Sequence, residues 1–248
     1  MNIKNILNNP IALLKSENIF LLSHMRGNTS LLSHLLGNHS EIEGYYEMHI
    51  GYYSWKSLYR QKLLYLKEHQ LKAESHYFFD KILHNEHHLR ESILKKSKVI
   101  IMLREPEQTI LSIINLYQKI DPAHPFCQEK PATQYYIERL QGIWQQAQLI
   151  PNQFYYLQAE KLRSQTKNEL LNIQQYLKLQ SPIAAEYELM KNTGKEKYGD
   201  SSQNINTGKV QKQATDYSDI ALDTDLIEQA LKIYQLTADY CQMNTYRE

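Results

Sequence analysis

Residues 19–36, IFLLSHMRGNTSLLSHLL, pass from an apolar run through a short polar loop straight into a second apolar pattern. Ile19, Phe20, Leu21 and Leu22 read as a buried parallel strand, whereas Leu31, Leu32, Leu35 and Leu36 recur at helical spacing. Arg26, Gly27, Asn28, Thr29 and Ser30 lie between them. A helix start presents unpaired N–H groups and the positive end of the helix dipole, and here two hydroxyls and a guanidinium join them. The loop is therefore predicted to hold an anion, and a phosphate suits it.

Further strands are read outward from this unit. Lys98–Leu103, KVIIML, is the clearest buried strand, closed by Arg104, Glu105 and Pro106. His76–Phe79 is a short aromatic strand ending in Asp80 and Lys81, and Phe154–Leu157 makes a fourth. Helical spacing is expected over Ser57–Leu71, Leu89–Leu94, from Glu107 onward, over Thr133–Leu149, over Glu169–Leu179 and from about Asp223 to Cys241. His39–Ser54, with Gly44 and Gly51, reads as a tyrosine-rich loop lining a cleft; Asp121–Pro131 and Asn192–Val210 read as loops. Strands alternating with helices imply a three-layer α/β fold around a mainly parallel sheet, of the P-loop nucleotide-hydrolase type, with ligands at the carboxyl ends of the strands.

Composition narrows the function. The 248 residues suit one domain spanning 1–248, and no linker, repeat or low-complexity tract divides them. A net charge of +1 argues against duplex binding, which calls for a basic stripe, so an anionic partner should be small and locally held. Cys127 and Cys241 are the only cysteines and form no CxxC pair, which points to a reducing compartment. The opening MNIKNILNNPIALLKSEN lacks a signal-like apolar core, and no stretch approaches the ~20 apolar residues of a membrane span. A cytoplasmic location is expected.

The first loop is not a GxxxxGK[ST] phosphate loop, because no lysine precedes Thr29 and Ser30. That weakens a nucleotide-dependent kinase or other phosphotransferase. A second anion site is read at Arg104, at the end of KVIIML, with Ser112 about two helical turns further on.

The two segments HMRGNTSLLSHLLGNHSEI and KVIIMLREPEQTILSIINLY, in that order, resemble the nucleotide-binding signatures of sulfotransferases that use 3′-phosphoadenosine 5′-phosphosulfate (PAPS). FFDKILHN and FYYLQAEKL are similar to two further strands of that family, and KYGDSSQNINTGKV resembles the segment closing over the nucleotide in bacterial members. The resemblance implies that Arg26, Gly27, Asn28, Thr29 and Ser30 hold the 5′-phosphosulfate, with Arg26 stabilising the transferring group. Arg104 and Ser112 would hold the 3′-phosphate, and Gly208 and Lys209, within a loop flanked by Lys195, Lys197 and Lys212, would cover the nucleotide. Sulfuryl transfer asks mainly for in-line positioning and charge stabilisation on oxygens, which these residue types supply.

For the proton of an acceptor hydroxyl, the resemblance points to Glu47, where tyrosylprotein and several carbohydrate sulfotransferases carry a catalytic glutamate. Burial among tyrosines is expected to raise its pKa. His84 is the second candidate base, off by one in register from the histidine of cytosolic members, and Lys81 would touch the bridging oxygen or the acceptor. Glu160 is expected to be structural. The family's Ser-Gly after the arginine is Gly27-Asn28 here, with Asn28 able to take a left-handed conformation. The cluster His84, Glu86, His87 and His88 is not HExxH and reads as a solvated turn, so no metal is assigned. The expected activity is sulfuryl transfer to a small-molecule or carbohydrate hydroxyl acceptor, without nucleic acid; the alternatives are the phosphotransferase or a non-catalytic nucleotide-binding module.

Overall fold

The computed structural model describes residues 16–191, 193, 203–211, 217 and 219–247. Five strands form one sheet in the order β2-β3-β1-β4-β5: β1 Glu17–Leu22, β2 Ile42–Glu43, β3 Tyr77–Ile82, β4 Lys98–Leu103 and β5 Phe154–Gln158. Every pairing is parallel. Around them run α1 Thr29–Gly37, α2 Trp55–Leu66, α3 Glu91–Leu94, α4 Pro106–Ile120, α5 Glu129–Gln148, α6 Ala159–Ser164, α7 Thr166–Leu177 and α8 Thr224–Met243.

The apolar runs are continuous because both faces of the sheet are covered. Side chains alternate along each strand. Phe20, Leu22, Val99, Ile101 and Leu103 pack with Ile110 and Ile113 of α4, Tyr136 and Leu140 of α5 and Ala238 of α8. Ile19, Leu21, Ile100 and Met102 face the other way, onto Leu32 and Leu35 of α1, Leu162 of α6 and Ile173 of α7. These two layers of helices place the central strand β1 between β3 and β4, with Leu22 beside both Ile82 and Ile101. The residues after β1, β3 and β4 thus emerge together.

Several boundaries differ from expectation. Asp80 and Lys81 belong to β3 and are buried with the rest of it, rather than terminating it. A two-residue edge strand, β2, lies inside the expected loop 39–54; too short for alternation to register, it is fixed by pairing with β3. The helix expected over 57–71 begins at Trp55, where Ser54 and Ser57 form a capping box, and ends at Leu66. Helix α5 begins at Glu129, inside the expected loop, because Pro131 falls in its first turn, where proline is tolerated. Short α6 was not anticipated. Glycine is required at Gly44, whose φ is 92° and whose Cβ would collide with the Phe79 carbonyl. Cys127 and Cys241 are free thiols. Among the described residues no helix is long and apolar enough to cross a membrane.

Candidate active site

The loop after β1 is built without a conventional cap. Asn28 takes φ 60° and ψ 19° and makes no side-chain bond to the first turn of α1; its amide donates instead to Ala159 O at 3.3 Å. The N-terminal amides of α1 are thereby left without a side-chain cap. Asn28, not Gly27, adopts the left-handed conformation, together with Arg26 at φ 59°. Gly27 is needed for close approach, since a Cβ there would stand 2.9 Å from Ser23 Oγ and 3.2 Å from the His24 ring. Ser23 Oγ cannot yield easily, because it donates to Met102 O at 2.6 Å.

The two arginines predicted at separate phosphates are joined. Arg26 Nε donates to Ser112 Oγ at 2.8 Å, and Arg104 Nη1 donates to Arg26 O at 3.0 Å. Burial lowers the pKa of Arg104; nearby Tyr217 and Glu160 oppose the shift, and Arg26 and Arg163 reinforce it. Glu160 Oε1, in the first turn of α6, lies 3.9 Å from Arg104 Nε, in keeping with a structural carboxylate; burial lifts its pKa despite Arg104. Several cationic groups thus crowd one uncapped helix start, an arrangement that favours a polyanion.

Three residues not singled out from the sequence support this loop. His24 is fully buried; its Nε2 accepts from Arg104 N at 3.1 Å, which assigns the proton to Nδ1, donating to Met25 O at 2.9 Å. Burial, with help from Arg104 and Arg139, pushes its pKa down to about 4, so it is neutral at pH 7. Arg139 of α5 donates to Ser23 O at 2.8 Å and to Ile82 O at 2.6 Å, tying the ends of β1 and β3 together. Its pKa falls to about 10 through burial, which leaves the charge intact at neutral pH. Tyr135 accepts from Met25 N at 2.8 Å and donates to Leu83 O at 2.9 Å. Only a charged residue beside the apolar Leu140 in the α5 pattern hinted at any of these.

Glu47, Lys81 and His84 gather on the β3 side of the same sheet end. The segment carrying Glu47 is held by Asp80, which accepts from Met48 N at 3.0 Å and from Tyr52 OH at 2.5 Å. Beyond it, Tyr52 N donates to His88 O and Arg90 N to Tyr52 O, so the segment runs beside residues 87–90. Glu47 is 8% exposed, and its Oε1 lies 3.5 Å from His49 Nδ1 and 3.4 Å from His87 Nδ1. Burial alone would raise its pKa, as expected, but His87, Lys81, His49 and His84 outweigh it and the net shift is downward. The expectation of a raised value is thereby corrected: the carboxylate sits beside Lys81 and three imidazoles as well as Tyr135. Burial lowers the pKa of His84, whose ring packs 5.5 Å from Tyr135. Asp80 is pushed up to about 7 by burial.

Gly208 and Lys209 are held by backbone pairing to residues 186 and 187. Gly208, at φ 69°, accepts from Tyr187 N at 2.8 Å, and Lys209 bridges to Glu186. Lys195, Lys197 and Lys212 lie outside the described residues.

A parallel α/β sheet with an uncapped, arginine-flanked helix start at its carboxyl edge defines an anion-binding protein of the nucleotide-binding class. The sulfotransferase domain family model matches residues 16–244, and the chain belongs to that family. It is a PAPS-dependent sulfotransferase, with PAPS as the sulfuryl donor. Similar solved structures include the sulfotransferase domain from the curacin biosynthetic pathway, with a TM-score of 0.61 and 17% identity over 90% of this chain and 98% of that one. The sulfotransferase domain from the Synechococcus PCC 7002 olefin synthase gives 0.62 and 14% over 90% and 95%. Mouse sulfotransferase SULT7A1, complexed with PAP, gives 0.58 and 12% over 89% and 84%. At such identities the likeness is one of fold. No curated protein sequence matches the chain. The uncapped α1 start and the paired Arg26 and Arg104 suit a cofactor carrying anionic groups at both ends of its ribose.

Proposed function

We propose that the protein transfers the sulfuryl group to a hydroxyl of a carbohydrate or secondary metabolite, with Glu47 as the general base. PAPS supplies an activated sulfuryl group; the chain binds, orients and neutralises. The amides of α1, Gly27, Asn28, Thr29 and Ser30 would cradle the 5′ end, and Arg26 would stabilise charge on the equatorial oxygens. Arg104 and Ser112 would bind the 3′-phosphate. Glu47 would accept the acceptor's proton, with Lys81 beside the reacting oxygens and His84, neutral, as the alternative base. Gly208 and Lys209 would cover the nucleotide from a segment whose backbone is paired with 186 and 187 and whose Gln211 carbonyl accepts from Arg163.

The observation that carries this reading is the meeting of Arg26 with both Ser112 and Arg104 at the start of α1. A carbohydrate acceptor is favoured by Tyr53 and Trp55, 53% and 70% exposed shortly after Glu47, since exposed rings offer flat apolar faces to a sugar. The test is a screen of labelled PAPS against hydroxylated acceptors, followed by two variants. Arg26→Ala should lower kcat at least 100-fold while changing PAP affinity little, whereas Arg104→Ala should weaken PAP binding at least tenfold first. Full turnover by Arg26→Ala would refute the assignment.

A further inference from the structure

Glu47, His49 and His87 come from two segments that the fold lays side by side, and each offers one ligand atom, with all three atoms within 4.8 Å of one another. Glu47 is 8% exposed, and its Oε1 makes only long ion-pair contacts to the two imidazoles, with no well-formed hydrogen bond there or at the buried Nδ1 of His87. A buried carboxylate oxygen held only by such long contacts is costly and leaves a position that a bound ion would satisfy. The separations themselves are informative. A tetrahedral ion with bonds of 2.0–2.1 Å sets its ligand atoms about 3.3 Å apart. Glu47 Oε1 stands 3.5 Å from His49 Nδ1 and 3.4 Å from His87 Nδ1, longer than good hydrogen bonds but close to the edges of such a tetrahedron.

We infer that Glu47, His49 and His87 form a site for a four-coordinate divalent transition ion, zinc by its ligand set, whose binding silences sulfuryl transfer. Two imidazole nitrogens and one carboxylate are a zinc set with a fourth position open, and they discriminate against magnesium and calcium, which take oxygen ligands. Lys81 and His84 also bear on Glu47, so the ion must compete with Lys81 for the carboxylate. The imidazoles ligate as neutral groups and supply the balance. His49, at φ 52°, turns back toward Glu47 two residues earlier. The inhibitory half rests on the proposed role of Glu47: a carboxylate oxygen bound to zinc no longer has its lone pair for the acceptor's proton.

The test uses the full chain stripped with chelator and titrated with zinc, cobalt and magnesium in a calorimeter, without cofactor or acceptor. One equivalent of zinc should bind, cobalt should give the intense visible bands of four-coordinate ions, and magnesium should not compete. His49→Ala, at a side chain 45% exposed, and His87→Ala should each weaken zinc binding at least tenfold, while His88→Ala changes it less than twofold. Weak, multi-equivalent binding, pale six-coordinate cobalt, or equal losses in His88→Ala and His49→Ala would overturn the site. In the transfer assay, equimolar zinc should lower the rate at least tenfold and chelator should restore it; zinc bound at these residues with transfer unchanged overturns the inhibitory half. A metal-free protein that transfers to no acceptor would refute the proposed function and leave the metal result standing.

Discussion

The loop residues show how chemistry depends on atoms that carry no motif. Arg26 holds a left-handed backbone, costing roughly 1–2 kcal/mol for a residue with a Cβ, and is kept there by Arg104 on its carbonyl and Ser112 on its side chain. Arg26, Arg104 and Ser112 were legible because charge at strand ends and a hydroxyl at helical spacing are sequence signals. Their mutual contact was not, because it depends on β1 and β4 lying side by side in the sheet. His24 was equally hidden, since a lone histidine after a strand has no pattern. Its neutral ring makes a pH prediction. The unfolded chain takes up a proton there below about pH 6.5, whereas the folded chain resists until about pH 4. Stability from this group is therefore present above pH 6.5 and is lost as pH falls to 4, about 3 kcal/mol in full. Urea denaturation should show the stability gap between wild type and His24→Gln narrowing by that order across the window; a constant gap would contradict the assignment.

At the scale of elements, β1, β4 and the helices with strong periodicity were readable, and Lys98–Leu103 was bounded as observed. The segment 45–54 was not readable beyond its tyrosines and glycines. Its path is set by Asp80, a buried carboxylate inside β3, and by its pairing with 88–90, about forty residues away in sequence. That pairing is what brings His87 to Glu47. The Tyr52–Asp80 bond is the anchor, and Tyr52→Phe removes a partner from a fully buried carboxylate at a cost of about 1–3 kcal/mol. Urea denaturation of the variant should show that loss, accompanied by a fall in kcat larger than any change in PAP affinity, because Glu47 rather than the nucleotide loop is released. A variant as stable and as active as wild type would remove Asp80 from the account.

For the whole molecule, the five-stranded parallel sheet places the carboxyl ends of β1 and β4, where we propose that the phosphates bind, and the Glu47 cluster beyond β3 along one edge. The fold class was legible from alternation of strand and helix patterns, since both-face burial writes continuous apolar runs. Edge strand β2 and short α6 were not, because they are held by neighbours rather than by their own periodicity. We propose that residues 1–248 fold as one domain, so thermal unfolding should be a single transition. PAP at a hundredfold excess over its Kd should add about 2.7 kcal/mol, a rise of about 5–10 °C in Tm for a domain of this size. ATP, lacking a 3′-phosphate for Arg104, should shift it less; equal shifts would place the second anion site elsewhere.

The most direct measurement is single-turnover transfer of labelled sulfuryl from PAPS to an acceptor found in the screen, by wild type and Glu47→Gln, with PAP affinity measured alongside. PAP affinity should stay within twofold and the transfer rate should fall at least 100-fold in Glu47→Gln. Glu47→Gln transferring at the wild-type rate would contradict Glu47 as the general base.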